Sequence, residues 1–156
     1  MYPCYRDGLV AERRESFPAI AILAENALYL ATWIIAGWLL VPLRVAGISI
    51  ATLVWAATVV VVQVLLKKHN CSGCYYYGKL CHLGWGKLSA WMFPQDSGDA
   101  RTGMRLSLFY IVSPPLILVS GVLIGAFLRV ATLHWILLAA YVGLNAATFP
   151  IRIGTL

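Results

Sequence analysis

Four long apolar runs decide what this chain can fold into. Ala19 to Val41 carries one formal charge, Glu25, and Ile48 to Leu66 carries none. Leu106 to Leu128 is again uncharged, and Val130 to Phe149 holds one ionisable group, His134. At about 1.5 Å of rise per residue, each run covers roughly 28–35 Å, enough for the ~30 Å hydrocarbon core of a bilayer. Inside that core every backbone N–H and C=O must be bonded within the protein, which leaves helices or a closed barrel. Val59 to Val62 are β-branched, yet barrel strands are about ten residues long and alternate in polarity. These runs are apolar on all faces. The reading is an all-α integral membrane protein with four transmembrane helices, about 19–41, 48–66, 106–128 and 130–149, in a single membrane domain, 1–156.

Composition closes the other routes. Hydrophobic residues make up 61% and charged residues 12% of the 156 residues, against about 45–50% and 25% in soluble domains. A water-soluble domain of this size has too little interior to hide that much apolar surface, and a disordered chain would be far less apolar. No room is left for a separate soluble catalytic domain. The first run is too long for the apolar core of a signal peptide and lacks a small-x-small exit before Pro42, so it is read as a span.

Pro42 to Gly47 joins the first two helices and Arg129 joins the last two, giving two tight hairpins linked by the long loop Lys67 to Arg105. Pro114 and Pro115 remove two N–H donors from the third span and predict a kink near Ser113. The N-terminal segment, the loop and the C-terminus share one side. They carry Arg6, Arg13, Arg14, Lys67, Lys68, Lys79, Lys87, Arg101, Arg105 and Arg152, whereas the other side carries only Arg44 and Arg129. The positive-inside rule then places both termini and the loop in the cytoplasm, in a cell inner (plasma) membrane. The net charge of +6 is accounted for by this topology and by anionic lipid head groups. The basic residues are scattered, not gathered into a stripe, so nucleic acid is not read as a partner.

The chemistry concentrates in the loop, which reads His69-Asn70-Cys71-Ser72-Gly73-Cys74-Tyr75-Tyr76-Tyr77-Gly78-Lys79-Leu80-Cys81-His82. A C-x-x-C turn brings two thiolates to one ion, and the enclosed glycine permits the tight turn of a metal knuckle. Cys71, Cys74 and Cys81 with a nearby imidazole match zinc or iron–sulfur ligation. Cys4, on the same side of the membrane, and His82 and His69 are competing fourth ligands. Other chemistries use the same residues: a redox dithiol, palmitoylation, or none at all. A disulfide would require an oxidising compartment, and the charge count argues against one. Tyr75 to Tyr77, with Trp85 and Trp91, read as an interfacial aromatic belt.

The stretch Cys71-Ser72-Gly73-Cys74-Tyr75-Tyr76-Tyr77-Gly78-Lys79-Leu80-Cys81, followed by Gly84-Trp85-Gly86-Lys87-Leu88, resembles a family of small prokaryotic four-helix membrane proteins. Its members, uncharacterised in activity, carry a C-x-x-C-x-Y-Y-G-K-x-C-x-x-G-W-G-K pattern after their second transmembrane helix. The pattern covers residues 71–87 here. The resemblance implies the four-helix plan and a second cysteine-rich motif after the last helix, where this sequence ends at Ile153-Gly154-Thr155-Leu156. It carries no activity over.

Beyond the cysteines, Leu88, Trp91 and Met92 share one helical face of the stretch 87–93, which predicts a short interfacial helix closed by Pro94. Asp96-Ser97-Gly98-Asp99 lacks the bidentate glutamate of a calcium loop and reads as a solvated turn. Glu25, Gln63, Ser113 and Asn145 fall roughly 5–10 Å below the cytoplasmic end of their helices, in one shallow polar layer. That layer is either the floor of a cytoplasmic cavity or a set of interhelical hydrogen bonds, with Glu25 able to pair with Lys67 or Arg152. His134 lies near the opposite face and reads as solvated, pigment ligation being the alternative.

No nucleophile–base pair, phosphate loop or paired carboxylates is visible, so catalytic residues are not assigned. The expected function is a membrane anchor holding a cytoplasmic Cys-ligated metal or iron–sulfur site. It would act as an accessory subunit among other membrane subunits or by self-association. The alternative is an oligomeric metal-handling carrier that passes an ion from the cysteines to the polar layer.

Overall fold

The computed structural model describes residues 17–154, with side chains as far as Phe149. Among these residues the chain is all helical: α1 Ala19–Leu39, α2 Ile50–Leu66, α3 Trp85–Met92, α4 Ala100–Leu128 and α5 Thr132–Gly154, with a π-helical turn Lys67–Cys71 prolonging α2. Four segments are long and apolar enough to cross a membrane: Ala19–Leu39, Ile50–Cys71, Ala100–Leu128 and Thr132–Phe149. Their outer faces are greasy. Leu53 is 61% exposed and Phe127 79%, a surface that water would not tolerate over four helices and that a bilayer contacts favourably.

α1 packs against α2, α4 and α5, and α4 closes the ring by touching both α2 and α5. Ala36, Leu39, Leu40, Ile117, Ile124, Leu138 and Tyr141 form the buried core of this bundle. Without a hydrophobic drive between helices in lipid, close approach has to come from small residues. Gly121 and Gly125, one turn apart on α4, supply it. A Cβ on Gly121 would stand 2.8 Å from Leu138 Cδ1, and one on Gly125 would stand 2.6 Å from the Trp135 ring.

The boundaries differ from the sequence reading for local reasons. α1 stops at Leu39 because the turn that follows is held by Ser49, whose hydroxyl donates to Leu40 O at 3.2 Å and accepts from the Thr52 N–H. α2 runs on through the π turn to Cys71. α4 starts at Ala100 because the Asp99 carboxylate caps it, accepting from the Thr102 N–H at 2.7 Å. Arg101 and Arg105 therefore lie on a helix, not in a loop. Helix α4 runs through Pro114 and Pro115 without a break. Arg129 makes the α4–α5 corner in the left-handed region, φ 47° and ψ 48°.

His134 is not solvated. It is buried between α4 and α5, where Nε2 lies 2.9 Å from Gly121 O. The carbonyl accepts, so Nε2 carries the proton, and the ring is committed to helix packing.

Candidate functional site

The π turn places Cys71 at the very end of α2 and its extension. The following backbone folds into consecutive turns. The Cys74 N–H donates to Cys71 O at 3.3 Å, the Tyr77 N–H to Cys74 O at 2.9 Å, and the Gly84 N–H to Cys81 O at 2.8 Å. Two glycines take up left-handed backbone, Gly78 at φ 76° and Gly84 at φ 71°, which a side chain would resist. The knuckle then closes on α3: the Gly78 N–H donates to Gly86 O at 3.1 Å. Contact there is so close that a Cβ on Gly86 would stand 2.0 Å from Tyr76 O.

Cys71, Cys74 and Cys81 are half-buried thiols, none of them in a disulfide. The Cys71 thiol lies within electrostatic reach of the thiols of Cys74 and Cys81 and of the Lys67 ammonium. The chemistry of the donors fits a thiophilic metal. Their placement does not close on one: among the described residues no three of His, Cys, Asp and Glu are grouped to hold an ion. His69 is engaged elsewhere, its Nδ1 accepting from the Asp99 N–H at 3.0 Å at the start of α4. The ring of His82 meets Phe17 edge-on, with centroids 5.9 Å apart. Cys4 lies outside the described residues.

Among protein-family models, curated proteins and solved structures, none matches this chain.

Contacts outside the knuckle hold the loop in place. Ser89 of α3 is fully buried and donates to Lys67 O at 2.8 Å. The Asp96 N–H donates to Ser72 O at 3.0 Å, and the Tyr77 hydroxyl to Phe93 O at 2.8 Å. Asn26 ties the loop to α1: Nδ2 donates to Leu83 O at 3.0 Å and to Ile22 O at 2.7 Å, while Trp85 Nε1 donates to Oδ1 at 3.4 Å. The tyrosine triplet is not a simple belt. Tyr76 is buried beside Phe17 and Tyr75, and Tyr75 carries the Lys79 ammonium 4.4 Å above its ring. Residues 71–99 thus form a folded cap on the bundle.

Beneath the cap sits a buried cation. Lys67 is 7% exposed; its ammonium donates to the backbone and side-chain oxygens of Gln63, both at 3.2 Å, and lies 4.5 Å from the Trp85 ring centroid. Gln63 Nε2 in turn donates to the Tyr110 hydroxyl. Tyr110 is packed edge-on by Tyr29, Trp33 and Trp85. Of the polar layer, Gln63 joins this nest, and Ser113 is buried one turn further along α4. Asn145 is elsewhere: it donates to Tyr141 O at 2.8 Å and lines an apolar groove of about 600 Å³ between α4 and α5. Glu25 Oε2 has no partner among the described residues, and Lys67 has taken Gln63 instead.

Asn26, Ser89 and Tyr110 are absent from the candidate residues of the sequence. Asn26 alone carried a signal, as an amide inside an apolar run. Cys71 also stands at a helix C-terminus, the negative end of the dipole, opposite to the helix N-terminus that activates thiolates. The helix end therefore does not activate Cys71 as a redox thiolate.

Proposed function

We propose that this small membrane protein takes up a thiophilic metal, zinc or the iron of an iron–sulfur cluster, on its cysteine cap. We further propose that it serves as an accessory or anchoring subunit in a larger membrane complex. The observation that carries this reading is the pattern Cys71-x-x-Cys74 with Cys81, three half-buried free thiols in one cap that protein contacts order by themselves. Structural zinc sites are closed tetrahedra that supply the folding energy of their domain. A cap ordered by Ser89, Asn26 and Tyr76 does not need that energy. Its thiols suit a metal that is acquired or exchanged, with Cys71, Cys74 and Cys81 as ligands and His82, His69 or Cys4 completing the shell. The uneven distribution of basic residues supports a cytoplasmic cap in the inner membrane. The resemblance carried by residues 71–87 supports a shared role for the cap, without naming one.

A carrier that passes the ion on to the bilayer interior is the weaker reading. A cation leaving the thiols toward Gln63 would meet the ammonium of Lys67, held there by three contacts.

The test is metal analysis of the detergent-purified full chain from cells grown with zinc and iron. The account expects about one metal site per chain, lost in Cys71→Ser and in Cys81→Ser with helix content unchanged. Equal metal content in the wild type and in the triple Cys71→Ser, Cys74→Ser, Cys81→Ser variant overturns it.

A further inference from the structure

The cap turns an unusual face outward. On α3, Trp85 and Ser89 meet the bundle through Asn26, Tyr110 and Lys67. Leu88 and Trp91 of the same helix are 41% and 83% exposed. A tryptophan that bare is costly in water, and in membrane proteins this residue concentrates at the head-group level. Trp85 reaches Tyr110 and Asn26, which lie inside the spans Ala100–Leu128 and Ala19–Leu39. The start of α3 therefore packs against two of the spans.

The exposed charges nearest α3 on its N-terminal side are lysines, and the carboxylates of Asp96 and Asp99 follow α3 in the turn that leads to α4. The Gly78 N–H donates to Gly86 O, which ties the segment carrying Lys79 and Leu80 to the start of α3, where Lys87 and Leu88 follow, and both lysines are exposed. From Lys67 to Gln95 the sequence holds four lysines and no Asp or Glu. Lysine stems can lie along apolar surface while their heads reach phosphate.

We propose that Lys79, Leu80, Lys87, Leu88 and Trp91 form a binding surface for anionic lipid head groups, which seats the cysteine cap on the bilayer. Trp91 and Leu88 enter the interfacial layer and the two lysines meet lipid phosphates. The cap is coupled to this surface because α3 and its C-cap Phe93 hold the surrounding backbone at three points: Gly86 to Gly78, Ser89 to Lys67 in the π turn, and Phe93 to Tyr77. This inference does not depend on any metal.

The full chain, reconstituted into nanodiscs of phosphatidylcholine with or without phosphatidylglycerol, provides the test. A water-soluble amine reagent should label Lys87 roughly fivefold more slowly when phosphatidylglycerol is present, and the difference should vanish in high salt. Lipid brominated near its head groups should quench the wild type more than Trp91→Phe, an exposed substitution that leaves the fold intact. Equal labelling in both discs together with equal quenching of the two proteins overturns the proposal. So does protection of Trp91 that requires a protein added from native membranes, which would make this face a protein-docking surface.

Discussion

The Ser89 hydroxyl donates a hydrogen bond to the backbone carbonyl of Lys67 at 2.8 Å, with Ser89 fully buried. Lys67 opens the π turn that prolongs α2, and its carbonyl accepts this bond from outside the helix. One buried bond thus fixes α3 to the end of α2, just where the cysteines begin.

Gly86 is the tightest joint of that attachment. Gly86→Ala places a methyl group inside contact distance of Tyr76 O, and overpacking of this kind costs about 1–3 kcal/mol. The variant should open the cap while leaving the four spans inserted. Alkylation of Cys74 and Cys81 should accelerate, and protease should cut between residues 75 and 90.

Asn26 is the corresponding clamp on α1. Asn26→Ala removes the bonds to Leu83 O and Trp85 Nε1 and leaves a buried carbonyl short of a donor, at a cost of about 1–3 kcal/mol. Hydrogen exchange should speed up in residues 81–89 and stay unchanged at the α4–α5 corner.

These two joints show what the sequence could and could not yield. The four spans were legible because uncharged apolar runs long enough to cross a bilayer have one physical solution in lipid. The cysteine turn was legible because C-x-x-C with an internal glycine is a local pattern. Helix α3 was foreseen at 87–93 and found at Trp85–Met92, since its signals are local too. The order of the loop was not legible. It comes from pairings such as Asn26 with Leu83 and Ser89 with Lys67, which are distant in sequence, and no periodicity reports those. Lys67 was counted as a surface charge because burial against Trp85 depends on the same long-range closure. His134 was misread for that reason as well: its partner, Gly121 O, lies on the other side of the α4–α5 corner.

The α4–α5 contact should prove intolerant of bulk. Gly121→Leu would push against Leu138 and displace the carbonyl that His134 bonds. Overpacking again predicts a loss of about 1–3 kcal/mol, read as a lower midpoint in detergent-mediated unfolding. His134→Ala should lower the same midpoint, and the double variant should fall short of the sum because both act on one contact.

A cytoplasmic cap is the expectation set by ten basic residues against two. An impermeant thiol reagent added to sealed spheroplasts should leave Cys74 and Cys81 unlabelled, and lysis should expose them. Labelling from outside would place the cap in an oxidising compartment, where a disulfide would be the better account of these cysteines.

X-ray absorption at the zinc edge, on purified protein loaded with one zinc per chain, tests the central claim most directly. The account predicts a shell containing three sulfurs at about 2.3 Å, with any histidine nitrogen at about 2.0–2.1 Å, and loss of one sulfur in Cys81→Ser. A shell of light atoms alone, unchanged by that substitution, would contradict it.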